Sequence, residues 1–351
     1  MVPRFVPGLE LAAAFYDELV RPLVGGVRHS AALLGTGSDV LGFDTERSTD
    51  HDWGPRLQVF VADADVSRVR SAVDDGLPDT FRYWPTRYGW DDVPVGHHVE
   101  VFALDRWLRA QLGFDPLGRI SSSDWLTVPQ QALLEVTTGA VFHDGLGELS
   151  SAREALVWYP NEVWLWLLAC QWRRIDQEEP FVGRTAEVGD ELGSRVVAGR
   201  LVRDAMRLCF LQERCYAPYT KWLGSGFREL AAHAELGERL LDVLAAPDCQ
   251  AREAALVDVV RTLAARHNAL AITAPVDENV RRFHNRPFRV LGSGRFVDAC
   301  LERLSDPWLR SLPLTGAVDQ FVDSADVLSE SAVFPHLSPT FNAWGESATS
   351  P

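Results

Sequence analysis

The residues best suited to chemistry lie in one short segment, GTGSDVLGFDTERSTDHDW, over positions 35–53. It ends in two carboxylates two residues apart, Asp50 and Asp52. On a strand, side chains at i and i+2 point to the same face. Two carboxylates side by side repel each other unless a cation sits between them. Magnesium, held by a few carboxylates and completed by substrate phosphates, meets that demand. The start of the segment offers matching chemistry at Gly37 and Ser38. Glycine lets the backbone approach a phosphate, and successive N–H groups at a helix start attract anions. Ser38 adds a hydroxyl donor. A third carboxylate from a neighbouring strand would complete the set. Glu100, in HHVEVFAL, is the candidate; Asp105 competes but is better used as a helix cap. On a regular strand His51 and Trp53 face away and serve packing.

These residues need strands and a turn to hold them. The pattern predicts an amphipathic helix over 9–24 and a short buried strand over 28–34, directly before the glycine turn. A second strand is expected within 50–61, with Gly54-Pro55 marking a bulge or an edge position. Residues 65–75 suit a helix, and 81–101 hold aromatic, strand-like pieces. Alternation from His98 to Val101 places Glu100 on a strand. RWLRAQLG follows Asp105 as a helix, and Pro129 suits the first position of another. His143-Asp144 suits a turn or cap. The character changes near residue 145, and from about 150 to about 322 the pattern is helical. After about 335 the chain is rich in Ser, Pro and Thr and is expected to be loose. The predicted class is α+β, with a catalytic domain over 1–149, an all-helical domain over 150–335 and a tail over 336–351.

The 351 residues are 46% hydrophobic and 24% charged, enough for a sizeable core. A net charge of −15 repels nucleic-acid backbones, so no duplex nucleic acid is expected as partner. Cys170, Cys209, Cys215, Cys249 and Cys300 form no CxxC pair and read as small buried residues in a reducing compartment. No signal-peptide pattern opens the chain, and the apolar run near Val163–Cys170 is too short to span a membrane. The expectation is a soluble, cytoplasmic protein.

The Gly-Ser turn, a spacer of about ten residues and Asp-x-Asp together form a pattern that resembles the polymerase-β-like nucleotidyltransferase superfamily. Eleven residues separate Ser38 from Asp50 here. The stretches GTGSDVLGFD, STDHDWGPR, FHDGLGEL, EVGDELGS, RDAMRLCFLQERCYAPYTKW and NRPFRVLGSGRF resemble a bacterial family known as domain of unknown function 4037, over about residues 8–310. The layout is also similar to that of aminoglycoside nucleotidyltransferases. The resemblance implies a nucleotidyltransferase-like mixed sheet with helices, followed by a helical domain. It implies transfer of a nucleoside monophosphate, AMP from ATP or another NTP, onto a hydroxyl of a small molecule or protein. Asp50, Asp52 and Glu100 would bind one or two magnesium ions, and Gly37 and Ser38 the terminal phosphates.

Outside the motif, Arg200, Arg203, Arg207 and Arg214 fall on one helical face. The plain alternative is a solvated face paired with acids. The other reading turns Arg203 and Arg207 toward a triphosphate. Lys221 is the only lysine, set between Tyr219 and Trp222. It is a candidate phosphate contact, or a lysine whose stem simply lies on its neighbours. RRFHNRPFRVLGSGRF either lines a cleft or forms a turn between helices. Two further function classes stay open: a nucleotide-binding regulator without transfer activity, and a toxin–antitoxin-type interaction protein.

Overall fold

The computed structural model describes residues 4–51, 53–90 and 93–347, so Asp52 lies outside the described residues. The chain divides into two compact units. The first comprises Met1–Ile120, Gln131–Val157 and Glu330–Phe334; the second comprises Ser121–Gln130, Trp158–Ser329 and Pro335–Pro351. Each unit thus draws on separate stretches of chain.

The first unit begins with helices α1 (Gly8–Phe15) and α2 (Arg21–Val24), joined by a π turn over Tyr16–Val20. Strands β1 (His29–Leu33) and β2 (Arg56–Val61) follow, then helix α3 (Val66–Gly76). A small ladder of β3 (Thr80–Phe81) and β4 (Trp84–Pro85) precedes β5 (Arg87–Trp90) and β6 (Val93–Phe102). Helix α4 (Leu104–Leu112) follows, and after α5 (Ser122–Thr127), which belongs to the second unit, come α6 (Gln130–Thr137), β7 (Ala140–Asp144) and α7 (Glu148–Ala155). The main sheet has five strands in the order β5-β6-β2-β1-β7. β1 runs antiparallel to β2 and β7, whereas β2 and β6 are parallel, so the sheet is mixed as expected.

Every residue of β1 and β2 is buried. The central strands are therefore covered on both faces. On β2 the pattern RLQVFV sorts by parity. Leu57, Val59 and Val61 join a core with Leu11, Phe15, Val69 and Val73. Arg56, Gln58 and Phe60 face the other way, where Phe60 meets Trp107 of α4 edge-on at 5.3 Å. That second face carries the polar residues.

From residue 161 the second unit is built of helices: α8 (Asn161–Glu187), α9 (Glu191–Glu213), α10 (Thr220–Glu229), α11 (Ala232–Ala245) and α12 (Cys249–Ala269). A hairpin of β8 (Arg281–Arg282) and β9 (Arg289–Val290) precedes α13 (Gly294–Arg303). Asp190 and Asp248 cap α9 and α12 by accepting N–H bonds from Gly193 and Ala251. Trp164, Trp166 and Trp172 of α8 are fully buried, and the Trp164 indole donates to the Leu211 carbonyl at 2.8 Å. No helix among the described residues is long and apolar enough to cross a membrane.

Several expectations change. The second strand starts at Arg56, not near Asp50. Gly54 has φ of 153° and Pro55 lacks an N–H, so the ladder ends there. Asp105 sits in the first turn of α4, whose N-cap is Ala103. Cys215 and Cys249 are exposed rather than buried. In the Ser- and Pro-rich tail, Ser338–Ser347 is helical and its Phe341 is buried.

Candidate functional site

The turn after β1 is held from beneath by a buried ion pair. Arg56 meets Asp39 through two bonds, Nη2 to Oδ1 at 2.6 Å and Nε to Oδ2 at 3.2 Å. The same Nη2 donates to the Thr36 carbonyl at 2.6 Å. A Cβ on Gly37 would stand 2.0 Å from Arg56 Nη2, and Gly37 has φ of 128°. Glycine is required there by the guanidinium below it as well as by its dihedral. Gly35 N–H donates to the Glu135 carbonyl and Leu34 N–H to Gln58 Oε1. The turn is thus rigid before any ligand arrives. Ser38 is half-buried, and its carbonyl accepts the Phe43 N–H at 2.8 Å.

Beside this turn lies a cavity of about 320 Å³, lined by Thr36, Arg56, Gln58, Trp90, Glu100 and Trp107 among others. Gln58 and Glu100 are register partners on β2 and β6, and Gln58 Nε2 donates to Glu100 Oε2 at 3.1 Å. The other carboxylate oxygen of this exposed glutamate has no donor among the described residues. His98 also lines the cavity, but its ring lies against Tyr88 at 4.3 Å and Trp90 at 4.9 Å. Its Nε2 bonds the Tyr88 carbonyl. That makes it a packed histidine.

Asp50 stands elsewhere than expected. It ends the 3-10 turn Glu46–Asp50, exposed, rather than occupying a strand. The turn is set by Thr45, whose N–H donates to Ser48 Oγ at 3.0 Å. Asp50 and His51 line a smaller cavity of about 150 Å³ with Trp53, Trp84 and Tyr88. Trp90 borders both this cavity and that of Glu100. Among the described residues no three His, Cys, Asp or Glu side chains stand together as a metal site. Trp53 is a packing residue as predicted: it is buried, its indole donates to Asp44 at 2.9 Å, and it meets Trp84 at 4.7 Å. Asp144 is a turn cap, as expected, taking N–H bonds from Gly147 and Ser150.

The cationic candidates belong to the second unit. Arg203 pairs with Asp323 at 2.6 Å, and Arg200 binds Glu178. Arg207 is buried and donates to the Asp319 carbonyl; burial lowers its pKa. Arg214 lies past the helix end, over the Trp164 ring at 4.2 Å. Each of these arginines has a partner within its own unit, but only Arg200 and Arg203 pair with acids as the plain alternative expects. Lys221 is exposed, with Nζ 5.0 Å from the Trp222 ring centroid.

Arg56, Asp39, Gln58 and Trp90 escaped the motif search. The first three carried a signal: polar residues alternating with apolar ones in RLQVFV, and an aspartate directly after the Gly-Ser turn. Trp90 enters from β5 through tertiary pairing alone.

Residues 125–223 match the family described as Domain of unknown function (DUF4037). The DUF4037 segment runs from α5 into α10 and includes FHDGLGEL, EVGDELGS and RDAMRLCFLQERCYAPYTKW. The glycine turn, the acidic pair and NRPFRVLGSGRF lie outside it, so the match is narrower than the stretches quoted above. No curated protein matches the chain. Among solved structures, a nucleotidyltransferase-like protein from Exiguobacterium sibiricum 255-15 is similar. Identity is 11%, the TM-score is 0.35, and the likeness covers 79% of this chain and 82% of that one. At that distance the likeness decides nothing about chemistry.

Proposed function

We propose that this chain binds a nucleoside triphosphate in the cavity beside β1, β2 and β6, and transfers its nucleoside monophosphate to a hydroxyl of a small molecule or protein. The observation that carries this reading is the meeting of the glycine turn, at Gly35 and Thr36, with Arg56, Gln58 and the Glu100 carboxylate around one cavity. ATP is the proposed donor. The donor chemistry suits magnesium, since Glu100 keeps an open oxygen and Asp50 is solvent-facing. Asp50, Asp52 and Glu100 would hold one or two ions. When bound, the ion would offset phosphate charge. Ser38 would donate to a terminal phosphate, and the open oxygen of Glu100 would take the proton of the acceptor hydroxyl. Arg203 and Arg207 would contribute only by exchanging Asp323 and Asp319 for phosphate.

The test uses the full chain with each NTP labelled at the α- or γ-phosphate, with and without magnesium, in cell extract. Transfer requires label on an acceptor from the α-position only, dependent on magnesium. Label from the γ-position would indicate phosphoryl transfer and overturn the reading.

A second reading has one observation in its favour. The β2 residues that face the cavity are Arg56 and Gln58, not carboxylates. A protein that binds nucleotide without transferring it would show saturable ATP binding and no labelled acceptor.

Lys221 offers a separate check. A compact ammonium suits a phosphate where arginine would demand a planar partner. Lys221→Met should weaken ATP binding about ten- to a hundredfold, the worth of a charged hydrogen bond. AMP, lacking the outer phosphates, should lose less. Equal loss for both ligands, or none, would remove Lys221 from the triphosphate.

A further inference from the structure

A second cavity, of about 210 Å³, lies wholly within the helical unit, between α8, α12 and the β8–β9 hairpin. Val182, Ala186, Leu256, Val257 and Phe288 give it apolar walls. Two acids at its border are already neutralised. Glu187 pairs with Arg286 and Glu253 with Arg289, each at 3.0 Å.

Glu179 also lines this cavity, and it differs. It is only 9% exposed and makes no ion pair among the described residues. Its carboxylate accepts the N–H of Leu291, the N–H of Gly292 at 3.2 Å and the hydroxyl of Ser293 at 3.4 Å. All three donors are neutral. Asp176, one turn earlier on α8, adds a like charge. A buried carboxylate without a counter-ion is costly and is normally paired or protonated.

We infer that this cavity binds a small apolar molecule carrying one positive charge, whose ammonium faces Glu179. The apolar walls take the body of the ligand, and the rim acids, held by Arg286 and Arg289, leave Glu179 as the one uncompensated charge of the lining. This site is independent of the nucleotide reading.

Burial pushes the Glu179 carboxyl up to about 7 from its usual 4.5, with Asp176 adding to the rise against the three bonds. Between those values the folded state binds a proton that the unfolded state releases, so stability falls as pH rises through that window. An ammonium at the site would remove that fall. The other charged groups near it are committed. Asp176 pairs with Arg173 and receives the Gly294 N–H. Arg295 of α13 is spent on Asp277 and on the carbonyls of Leu291 and Gly292. Cys249 lies on the rim.

The experiment is calorimetry on the full chain with benzylamine, its neutral analogue benzyl alcohol, and benzoate. Benzylamine should bind about tenfold or more tightly than benzyl alcohol, and benzoate should not bind, as expected for a lone buried carboxylate. Benzylamine should bind more tightly at about pH 8 than at about pH 6, because Glu179 is then ionised. Glu179→Gln should reduce benzylamine to the level of the alcohol. Ala186→Leu, which fills the cavity and leaves Glu179 in place, should abolish both. Equal binding of amine and alcohol, unchanged benzylamine affinity in either folded variant, or no binding by benzylamine and cyclohexylamine alike would overturn the assignment.

Discussion

Asp39→Ala is expected to destabilise the first unit by about 3–5 kcal/mol, the range for removing one partner of a buried ion pair. The Asp39 side chain is fully buried and that of Arg56 is 10% exposed. Without Asp39 the guanidinium keeps only the Thr36 carbonyl among the three contacts described above, with little of it open to solvent. For a unit of this size the melting temperature should fall by about 6–20 °C. The glycine turn rests on the same pair, so nucleotide affinity should fall with it. Asp39→Leu combined with Arg56→Met should recover most of the stability, because an apolar pair of similar volume is often neutral or better. Asp63→Ala is the comparison. It breaks the Arg106–Asp63 bridge, whose side chains are 70% and 61% exposed, and should cost less than about 1 kcal/mol. If Asp39→Ala melts with the native chain, the pair does not support the turn.

The second large effect concerns rate. If the open oxygen of Glu100 takes the acceptor proton, Glu100→Gln should slow transfer about 10²- to 10⁴-fold. Glutamine keeps the size of the side chain, so the fold should change little, while magnesium-dependent ATP affinity should fall with the lost ligand. Asp52→Asn should instead abolish the magnesium dependence of ATP binding. Glu100 is proposed for both roles, so its variant should lose rate beyond any loss of magnesium-dependent affinity, whereas the Asp52 variant should lose the affinity first. The regulator reading forecasts the opposite: no transfer in the native chain, and identical ATP binding in native and Glu100→Gln protein. Transfer that survives at full rate in Glu100→Gln would assign the proton to another group.

The sequence disclosed the elements more readily than the site they build. Apolar periodicity located α3 because one face of it is buried, whereas β1 and the start of α8 stood out as continuous apolar runs because they are buried all round. Gly54 and Pro55 were recognised as an interruption, but the i, i+2 rule was still applied across them. A residue without an N–H ended the ladder, and the Thr45–Ser48 contact curled Asp50 into a turn instead. Arg56 and Gln58 were legible as the polar half of an alternating strand. Their burial was not, because it depends on Trp107 and Trp90, which arrive from helix α4 and strand β5. Glu179 was equally hidden: helical periodicity places it on α8, but its three donors come from residues 291–293, more than a hundred positions later.

The composition of the first unit bears on how the protein is made. Its sheet needs β7, at residues 140–144, before β1 gains its second neighbour. The unit also takes in Glu330–Phe334, whose Phe334 is 1% exposed. Domains that fold during synthesis usually do so in order from the first residue. Here the earliest-made unit stays unfinished until the ribosome has released position 334, while the helices between are already free to pack. The β1 edge is open until β7 has been made, and the place that Phe334 fills stays open longest; it is the surface a chaperone would meet. A fragment stopping at residue 150 has all five strands but lacks Glu330–Phe334 permanently, so expressing the sheet alone should yield aggregated protein rather than a small soluble domain.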